Sequence, residues 1–496
     1  MTATYLSTVL LIVLIMAGVL RRDGGMNPKR RRALITWLAL WLIAAAVQFM
    51  NNRLLVVGFA RALGVMVLFF ELENPESNID RTTGFFNANA FWEFMRQNYM
   101  SNANNCGMLV SLEDSASKDV RGDRLDAAVI EIADFFRRVP ETKIFRMDEY
   151  EFALLFANQE NLDRARHILA KRFSEPWLEY NEKYAPINIK PYYLIVPAGN
   201  VAGSVNEVIG MMKYFRAHYM NNLESRVLVL NEDVICRKKA REDMLHTITE
   251  ALENDRVEVF FQPIYSTQLK KFVSAEALVR IRKEDGGIIP PGMFIPIAEE
   301  TGMISWIGKR VFEKTCEFIK QTDIGRYGIE YIEVNLSVGQ CEDEALADLY
   351  IDVMERYKIS PSLINLEITE SASIIMRKTL LNNMRKLIDY GVSFSLDDFG
   401  NGESNLNYIV DMPVHIVKFD KDMTQAYFVS EKAKYVLQAA TDMIQGLHLQ
   451  VVSEGVETAE QLRAMERLGI DYIQGYYFSR PLEASQFIEF LKVANG

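Results

Sequence analysis

Residues 392–398 read VSFSLDD, a short run of alternating hydrophobic residues that ends in two adjacent aspartates. Strand-like runs recur along the C-terminal half of the chain, at 257–265, 272–281, 331–338, 364–369, 392–397, 416–419, 450–453 and 472–477. Amphipathic stretches lie between them, at 291–320, 342–357, 374–390, 431–447 and 459–468. Eight strand-like runs that alternate with helix-like runs over ~240 residues predict an α/β fold of the TIM-type (β/α)8 barrel class.

The ends of the predicted strands carry polar side chains. In order they are Glu276, Asn335, Glu367, Glu370, Asp397, Asp398, Lys418, Asp420, Glu454, Glu457 and Gln474. A single acid at a strand end is usually a helix cap or a solvated residue. Because the C-terminal ends of parallel barrel strands meet at one rim, a long succession of such groups predicts a shared site there.

The predicted ligands in this set are oxygen atoms. The four cysteines (Cys106, Cys236, Cys316 and Cys341) lie far apart, and the five histidines fall away from the strand ends, which argues against a zinc site or a disulfide framework. Clustered carboxylates need cations between them to stay ionised. Hard oxygen ligands favour Mg²⁺ or Mn²⁺, and two ions ~3.5–4 Å apart serve in-line displacement at phosphorus.

These residues also resemble the EAL domain family, over residues 240–494. The resemblance rests on an ordered set of motifs: Glu276-Ala277-Leu278, Asn335-Leu336-Ser337, Asp397-Asp398-Phe399-Gly400, Glu454-Gly455-Val456-Glu457 and Gln474-Gly475-Tyr476. The set is similar to the catalytically competent form of the family. The resemblance implies a cyclic di-GMP phosphodiesterase that gives linear pGpG by a two-metal mechanism.

The resemblance also implies roles for individual residues. The metal ligands it implies are Glu276, Asn335, Glu367, Asp397, Asp398 and Glu454. The catalytic residues it implies are Lys418, which fixes the attacking water, and Glu454, Glu276 and Asp397. Substrate contacts are implied for Gln262 and Arg280, with Gln474 orienting the network, and supporting roles for Glu370, Asp420 and Glu457. Glu403 and Asn405 depart from the family pattern after Asp398, which bears on coupling to a dimer partner.

Residues 76–231 are predicted to form a separate α/β domain with a mixed sheet. They resemble the GGDEF family at residues 82–87 and 146–152, where the signature hairpin belongs. Asp148 and Glu149 replace two glycines that let the backbone approach a nucleotide, and Tyr150 replaces a Mg²⁺-binding acid. The sequence therefore predicts a degenerate GGDEF-like domain without cyclase activity, which serves as a sensor or dimerisation relay; nucleotide binding by it is left open.

The first 70 residues carry eight basic side chains and one acidic one, a net charge of +7, whereas the other 426 residues carry −18. Apolar stretches at about 2–20, 33–50 and 54–70 are long enough for membrane helices of ~17–20 residues. Six basic residues in the loop 21–32 predict a cytoplasmic loop. Three crossings would place residues 71–496 in the cytoplasm, below the inner membrane, whereas Arg61 supports a two-helix alternative.

A polar helix at 232–254 is predicted to link the middle domain to the barrel. Two other function classes stay open: a cyclic di-GMP receptor that does not hydrolyse its ligand, and a signalling scaffold. Receptors usually lack one or more metal acids, and all of them are present here. We expect a homodimer through either domain, and the acidic body excludes a protein that coats a nucleic acid polymer.

Overall fold

The structure is a computed structural model that describes residues 28–50, 56–72, 78–98, 106–112, 123–179, 181, 183–199, 202–218, 226–369, 377–400, 409–410 and 412–495. The predicted membrane segment 2–20 and residues Glu370, Glu403 and Asn405 lie outside the described residues. The chain divides into two compact units, Met1–Lys238 and Lys239–Gly496.

Two helices, α1 (Pro28–Met50) and α2 (Val56–Leu72), cover the predicted membrane segments 33–50 and 54–70. They contact each other where the Val57 backbone N–H donates to Gln48 Oε1 at 3.0 Å and where the Trp37 indole lies against Gly64. Among the described residues, every helix falls short of the length or hydropathy that a bilayer crossing requires; α2 has 17 residues. The membrane anchor therefore stays a prediction.

The N-terminal unit contains a six-stranded mixed sheet in the order β1-β3-β4-β2-β5-β6. Its strands are β1 (Phe86–Asn87), β2 (Cys106–Ser111), β3 (Thr142–Asp148), β4 (Glu151–Phe156), β5 (Tyr192–Val196) and β6 (Val227–Val229). Its helices beyond α2 are α3 (Ala88–Asn98), α4 (Asp123–Phe136), α5 (Gln159–Phe173) and α6 (Val205–His218). One apolar cluster covers each face of the sheet, and the predicted α/β domain with a mixed sheet is confirmed.

One helix of this unit is shorter than predicted. The sequence predicts helix over 80–99, but α3 begins at Ala88. Asp80 Oδ1 instead accepts hydrogen bonds from the backbone N–H and hydroxyl of Thr83, which closes a turn. The side chain of Asn87 then caps α3 by accepting from the backbone of Ala90. Local side-chain hydrogen bonds thus compete with the helix before residue 88.

The C-terminal unit is a closed eight-stranded barrel, as predicted. Its strands in barrel order are β7 (Val257–Ser266), β8 (Lys271–Arg282), β10 (Tyr331–Leu336), β11 (Ile364–Thr369), β12 (Ser393–Phe399), β13 (Ile416–Phe419), β14 (Gln450–Ser453) and β15 (Tyr472–Ile473). Pairing of β15 and β8 with β7 closes the ring. Two short strands, β9 (Ile288–Ile289) and β16 (Leu482–Glu483), extend β8 and β7.

The prediction that all eight strands are parallel is wrong for the first strand. β7 runs antiparallel to both β8 and β15. Residues 267–270 are all that join β7 to β8, and a parallel neighbour needs a crossover of a dozen or more residues. The pair is therefore a hairpin, closed by the Lys270 N–H donating to the Ser266 carbonyl at 2.9 Å.

The helices of the barrel are α7 (Glu232–Glu253), α8 (Pro291–Glu300), α9 (Ile304–Thr322), α10 (Val338–Cys341), α11 (Leu346–Tyr357), α12 (Arg377–Tyr390), α13 (Lys421–Val429), α14 (Glu431–Gly446), α15 (Ala459–Arg467) and α16 (Ala484–Ala494). Most lie at the predicted positions, but α10, α13 and α16 were not predicted. The predicted stretch 291–320 is divided into α8 and α9. The break lies at Gly302, whose φ of +73° is one that glycine adopts without strain.

Candidate active site

The ammonium group of Lys418 lies at the centre of the polar cluster in the barrel. Lys418 lies on the short strand β13 and is fully buried. Four carboxylates lie within 4 Å of its Nζ atom: Glu367 at 2.6 Å, Glu454 at 2.8 Å, Glu333 at 3.4 Å and Glu276 at 3.7 Å. A buried charge is tolerated only when it is paired, so these contacts fix the position of the lysine.

The strand register brings these acids together. In the parallel pairs, Glu276 on β8 is opposite Glu333 on β10, and Asn335 is opposite Glu367 on β11. Asp397 on β12 is opposite Thr369, the last residue of β11. Neighbouring strands lie ≈ 4.8 Å apart, so side chains that project from these positions reach one another. The predicted convergence is present.

Amide groups hold the carboxylate of Glu276 on both sides. Asn335 Nδ2 donates to Glu276 Oε1 at 2.6 Å, and Gln474 Nε2 donates to Glu276 Oε2 at 2.6 Å. Gln474 also donates to Gln262 Oε1 at 3.2 Å, and Gln262 is opposite Glu276 in the β7–β8 hairpin. Burial opposes ionisation of Glu276, but Lys418 and these donors hold its pKa below the ordinary value.

Asp397 and Asp398 lie where β12 loses its regular pairing with β13. Asp398 has a φ of +57°, a conformation that few non-glycine residues adopt. Burial raises the pKa of Asp397 to about 6, against the attraction of Lys418 and with repulsion from Glu276. Burial and the nearby Asp420 raise the pKa of Asp398. The irregular end of β12 thus places two adjacent carboxylates where solvation is poor.

The pKa values of Lys418, Glu367 and Glu454 are shifted by burial and by the charges of their neighbours. Burial would lower the pKa of Lys418, but attraction by Glu276, Glu367 and Glu454 raises it well above its ordinary value. Burial raises the pKa of Glu367, and repulsion from Glu333 adds to the shift despite Lys418. Burial likewise raises the pKa of Glu454 to about 8. One ammonium therefore does not neutralise the whole set, and protons or further cations are needed.

Several oxygen atoms of the cluster are buried and have no hydrogen-bond partner among the described residues. They are Glu367 Oε2, Asp397 Oδ1, Gln474 Oε1 and both carboxylate oxygens of Glu333. Buried polar atoms are normally paired, and oxygen is the ligand that Mg²⁺ and Mn²⁺ prefer. The donor set thus fits a hard divalent cation. Within the described ranges, however, no three acidic, histidine or cysteine side chains are already arranged around a common metal position.

Other predicted site residues lie in different surroundings. Arg280 donates to its neighbour's carbonyl, Val279 O, at 2.7 Å and faces the ring of Phe260, with the guanidinium carbon 5.6 Å from the ring centroid. Burial lowers its pKa. Asp420 caps α13 through the N–H of Asp422.

Glu457 pairs at 2.8 Å with the exposed Lys421, and its supporting role stays a prediction. Glu370 lies outside the described residues.

Sequence reasoning missed Glu333. It is fully buried in β10, two residues before Asn335. Since alternate residues of a strand face the same side, the prediction that Asn335 faces the site would have placed Glu333 on that side too. No motif drew attention to it.

The hairpin predicted at residues 143–157 of the N-terminal unit is present as β3 and β4. Asp148 and Glu149 at its turn are exposed. Arg146 donates to the Glu149 carbonyl at 2.8 Å and pairs with Asp80 at 3.0 Å. The hydroxyl of Tyr150 donates to Asp126 at 3.1 Å. These contacts fix the hairpin turn and join it to Asp80 and Asp126.

Known proteins are similar to this chain over about half of its length. The signalling protein YkoW of Bacillus subtilis is 36% identical over 248 residues, which cover 49% of this chain and 30% of YkoW. The cyclic di-GMP phosphodiesterase PdeL of Escherichia coli is 29% identical over 250 residues, 50% of this chain and 69% of PdeL. The chain thus spans less than a third of YkoW and about two thirds of PdeL.

A solved structure of the EAL enzyme Bd1971, bound to cAMP and cyclic di-GMP, has the same fold. It aligns with a TM-score of 0.50 and 19% identity over 79% of this chain and 96% of that one. The EAL domain family itself matches residues 246–481. The family match and the similarity to PdeL support an enzyme of the phosphodiesterase class.

Proposed function

We propose that the barrel hydrolyses cyclic di-GMP to linear pGpG. The observation that carries the proposal is the convergence of a buried lysine with carboxylates from β8, β10 and β11 and from the end of β14. Cyclic di-GMP is the substrate named for PdeL. A phosphodiester is an anion, so its hydrolysis in a site this acidic requires cationic groups that neutralise the phosphate.

Two divalent cations, Mg²⁺ or Mn²⁺, are the cofactors we propose. Glu276, Asn335, Glu367, Asp397, Asp398 and Glu454 would hold them, because they supply hard oxygen ligands at one rim. Bound there, such ions polarise a phosphoryl oxygen and lower the pKa of water. This assignment is supported by Glu367 Oε2 and Asp397 Oδ1, which are buried and find no hydrogen-bond partner in the part of the chain that the structure describes.

The protein's own groups account for the rest of the reaction. One bond forms between a water oxygen and phosphorus, one bond to a 3′ oxygen breaks, and the departing oxygen ends with a proton. Lys418 is fixed by its carboxylates, so its ammonium can hold the attacking water and offset charge on the phosphoryl group. Glu454 contacts Lys418 and its side chain is 22% exposed, which suits exchange of a proton with solvent. Gln262 and Arg280 would contact the substrate.

The roles of the other segments are proposals from the sequence. We propose that the GGDEF-like domain regulates the barrel and has no cyclase activity, because Asp148, Glu149 and Tyr150 occupy the positions that catalysis needs. We also propose that residues 1–70 anchor the chain in the inner membrane with the barrel in the cytoplasm, and that the chain forms homodimers.

The experiment that tests the function is incubation of the full chain with cyclic di-GMP and Mg²⁺ or Mn²⁺, followed by chromatography. We expect pGpG to form with the cation and not after chelation. Glu276→Gln should lower the rate of product formation by roughly 10²–10³-fold or more, whereas Glu489→Gln, a matched change at an exposed position of α16, should leave it unchanged. Binding of cyclic di-GMP without any product would instead identify a receptor and overturn the proposal.

A further inference from the structure

Glu333 is a buried acid that none of the sequence motifs includes. It is 0% exposed, and neither carboxylate oxygen has a hydrogen-bond partner in the described part of the chain. Its Oε2 atom lies 3.4 Å from the Nζ atom of Lys418, which is also 0% exposed. Because an isolated buried charge is costly, the ion pair with Lys418 is the contact that explains a glutamate here.

Glu333 lies deeper in the barrel than the other polar residue of its strand. Glu333 and Asn335 are two residues apart on β10 and therefore face the same side. Asn335 is exposed, whereas Glu333 is shielded from solvent. Glu333 is opposite Glu276 on one side, and the next pairing places Asn365 on β11 beside it. Glu333 thus approaches Lys418 from below the rim.

The other three carboxylates around Lys418 have a second role. Glu276, Glu367 and Glu454 are the acids assigned to cation binding under the proposed function, whereas Glu333 is not among them. Carboxylates that bind a divalent cation attract a neighbouring ammonium less, because the cation offsets their charge. Glu333 would then remain as the carboxylate that holds the lysine.

We propose that Glu333 is a positioning residue that keeps the Lys418 ammonium aimed at the reacting phosphate when the other acids bind cations. This inference rests on the proposed function and extends it. Groups that orient a reactive side chain matter nearly as much as the side chain itself. The role requires a negative charge below Lys418, and no contact between Glu333 and the substrate or a cation.

The test uses Glu333→Gln in the full chain, because glutamine keeps the shape of the side chain and removes its charge. We expect kcat for cyclic di-GMP to fall ~10- to 100-fold, as for other orienting partners, with KM changed less than about twofold. The shift in melting temperature caused by Mn²⁺ alone should equal that of the wild type. Glu330→Gln, an exposed change just before β10, should leave both quantities unchanged.

Two results would overturn the proposal. An unchanged kcat in Glu333→Gln would show that the lysine needs no such partner. Loss of the Mn²⁺-induced shift would show that Glu333 acts through the cations and not through Lys418. If the wild-type chain forms no pGpG, the proposed function fails, and the pairing of the two residues is then judged by stability alone.

A double-mutant cycle measured by melting temperature tests whether Glu333 and Lys418 interact, and it does not depend on hydrolysis. Glu333→Gln is compared in the wild-type chain and in Lys418→Met, without divalent cations. If Glu333 serves Lys418, its substitution lowers the melting temperature in the wild type and lowers it less, or raises it, in Lys418→Met, where the unpaired carboxylate is itself destabilising. Equal effects in both backgrounds would mean a merely structural role and would overturn the inference.

Discussion

The barrel and the N-terminal sheet both carry acidic side chains near the ends of strands. Those of the barrel lie around a buried lysine, whereas those of the sheet are exposed. In the barrel, Glu276, Glu367 and Glu454 surround one buried lysine and raise its pKa. At the β3–β4 turn, Asp148 and Glu149 are exposed. In water, charges 4 Å apart interact by ≈ 1 kcal/mol, and several times more strongly in a protein interior. Closing a sheet into a barrel therefore makes strand-end acids a strongly coupled set.

The largest difference that we expect between the two regions concerns catalysis. Glu276→Gln should lower hydrolysis of cyclic di-GMP by roughly 10²–10³-fold or more, the loss found when one preorganised electrostatic group is removed. Asp148→Asn should leave the rate within about twofold of the wild type, since its side chain is solvated. Initial rates of pGpG formation measure both. Equal losses in the two variants would contradict the separation of roles.

The next largest effect concerns stability. Lys418→Met should lower the free energy of unfolding of the barrel by about 3–5 kcal/mol at neutral pH without divalent cations, because it leaves buried carboxylates uncompensated. Lys434→Met removes an exposed pair with Glu431 at 2.6 Å and should cost at most ~1 kcal/mol. Urea unfolding followed by circular dichroism measures the change in the free energy of unfolding. Mn²⁺ should reduce the difference in the free energy of unfolding between the two variants.

The dependence of stability on pH should differ in sign between the two units. The pKa values of Asp397, about 6, and Glu454, about 8, lie above their ordinary values of 3.8 and 4.5. The folded barrel then binds more protons than the unfolded chain between pH 4 and 8, so its stability falls as the pH rises through that window.

Asp80 in the N-terminal unit behaves in the opposite way. Burial opposes ionisation, but hydrogen bonds from Thr83 and Arg146 lower its pKa below 3.8, so its contribution is present above that pH and is lost on acidification. For the barrel without divalent cations, we expect the free energy of unfolding to fall by roughly 1–3 kcal/mol between pH 5 and 8. Urea unfolding at successive pH values tests this, and a barrel that gains stability from pH 5 to 8 would contradict it.

The smallest expected effect is at Tyr150. Tyr150→Phe removes the hydrogen bond to Asp126 and should lower the free energy of unfolding of the N-terminal unit by ~0.5–1 kcal/mol. It should not change hydrolysis. Thermal unfolding and the rate of pGpG formation measure the two quantities. A large change in rate would mean that this tyrosine acts on the barrel.

Much of this architecture can be predicted from the sequence because strand and turn patterns are local. The eight strands and the β3–β4 hairpin follow from hydrophobic runs and their ends. The contacts of Glu276 with Asn335 and Gln474 follow from the convergence of strand ends. The antiparallel first strand was predictable in principle, since residues 267–270 are too few for a crossover.

Other features depend on tertiary contacts that no local pattern reports. Glu457 has the spacing of a supporting acid, but its side chain meets the exposed Lys421. The position of Lys418 among four carboxylates depends on the register of strands distant in sequence. Glu333 lies outside every motif and is identified by its burial. These are properties of the assembled barrel.

The reversed direction of β7 determines where the preceding chain joins the barrel. Val257, its first residue, pairs with Ile281 near the C-terminal end of β8, so the last turn of α7 connects at the rim that carries the polar cluster. In a barrel with eight parallel strands, the chain would enter at the opposite end. A displacement of the last turn of α7 would therefore act first on this rim and not on the opposite end of the barrel.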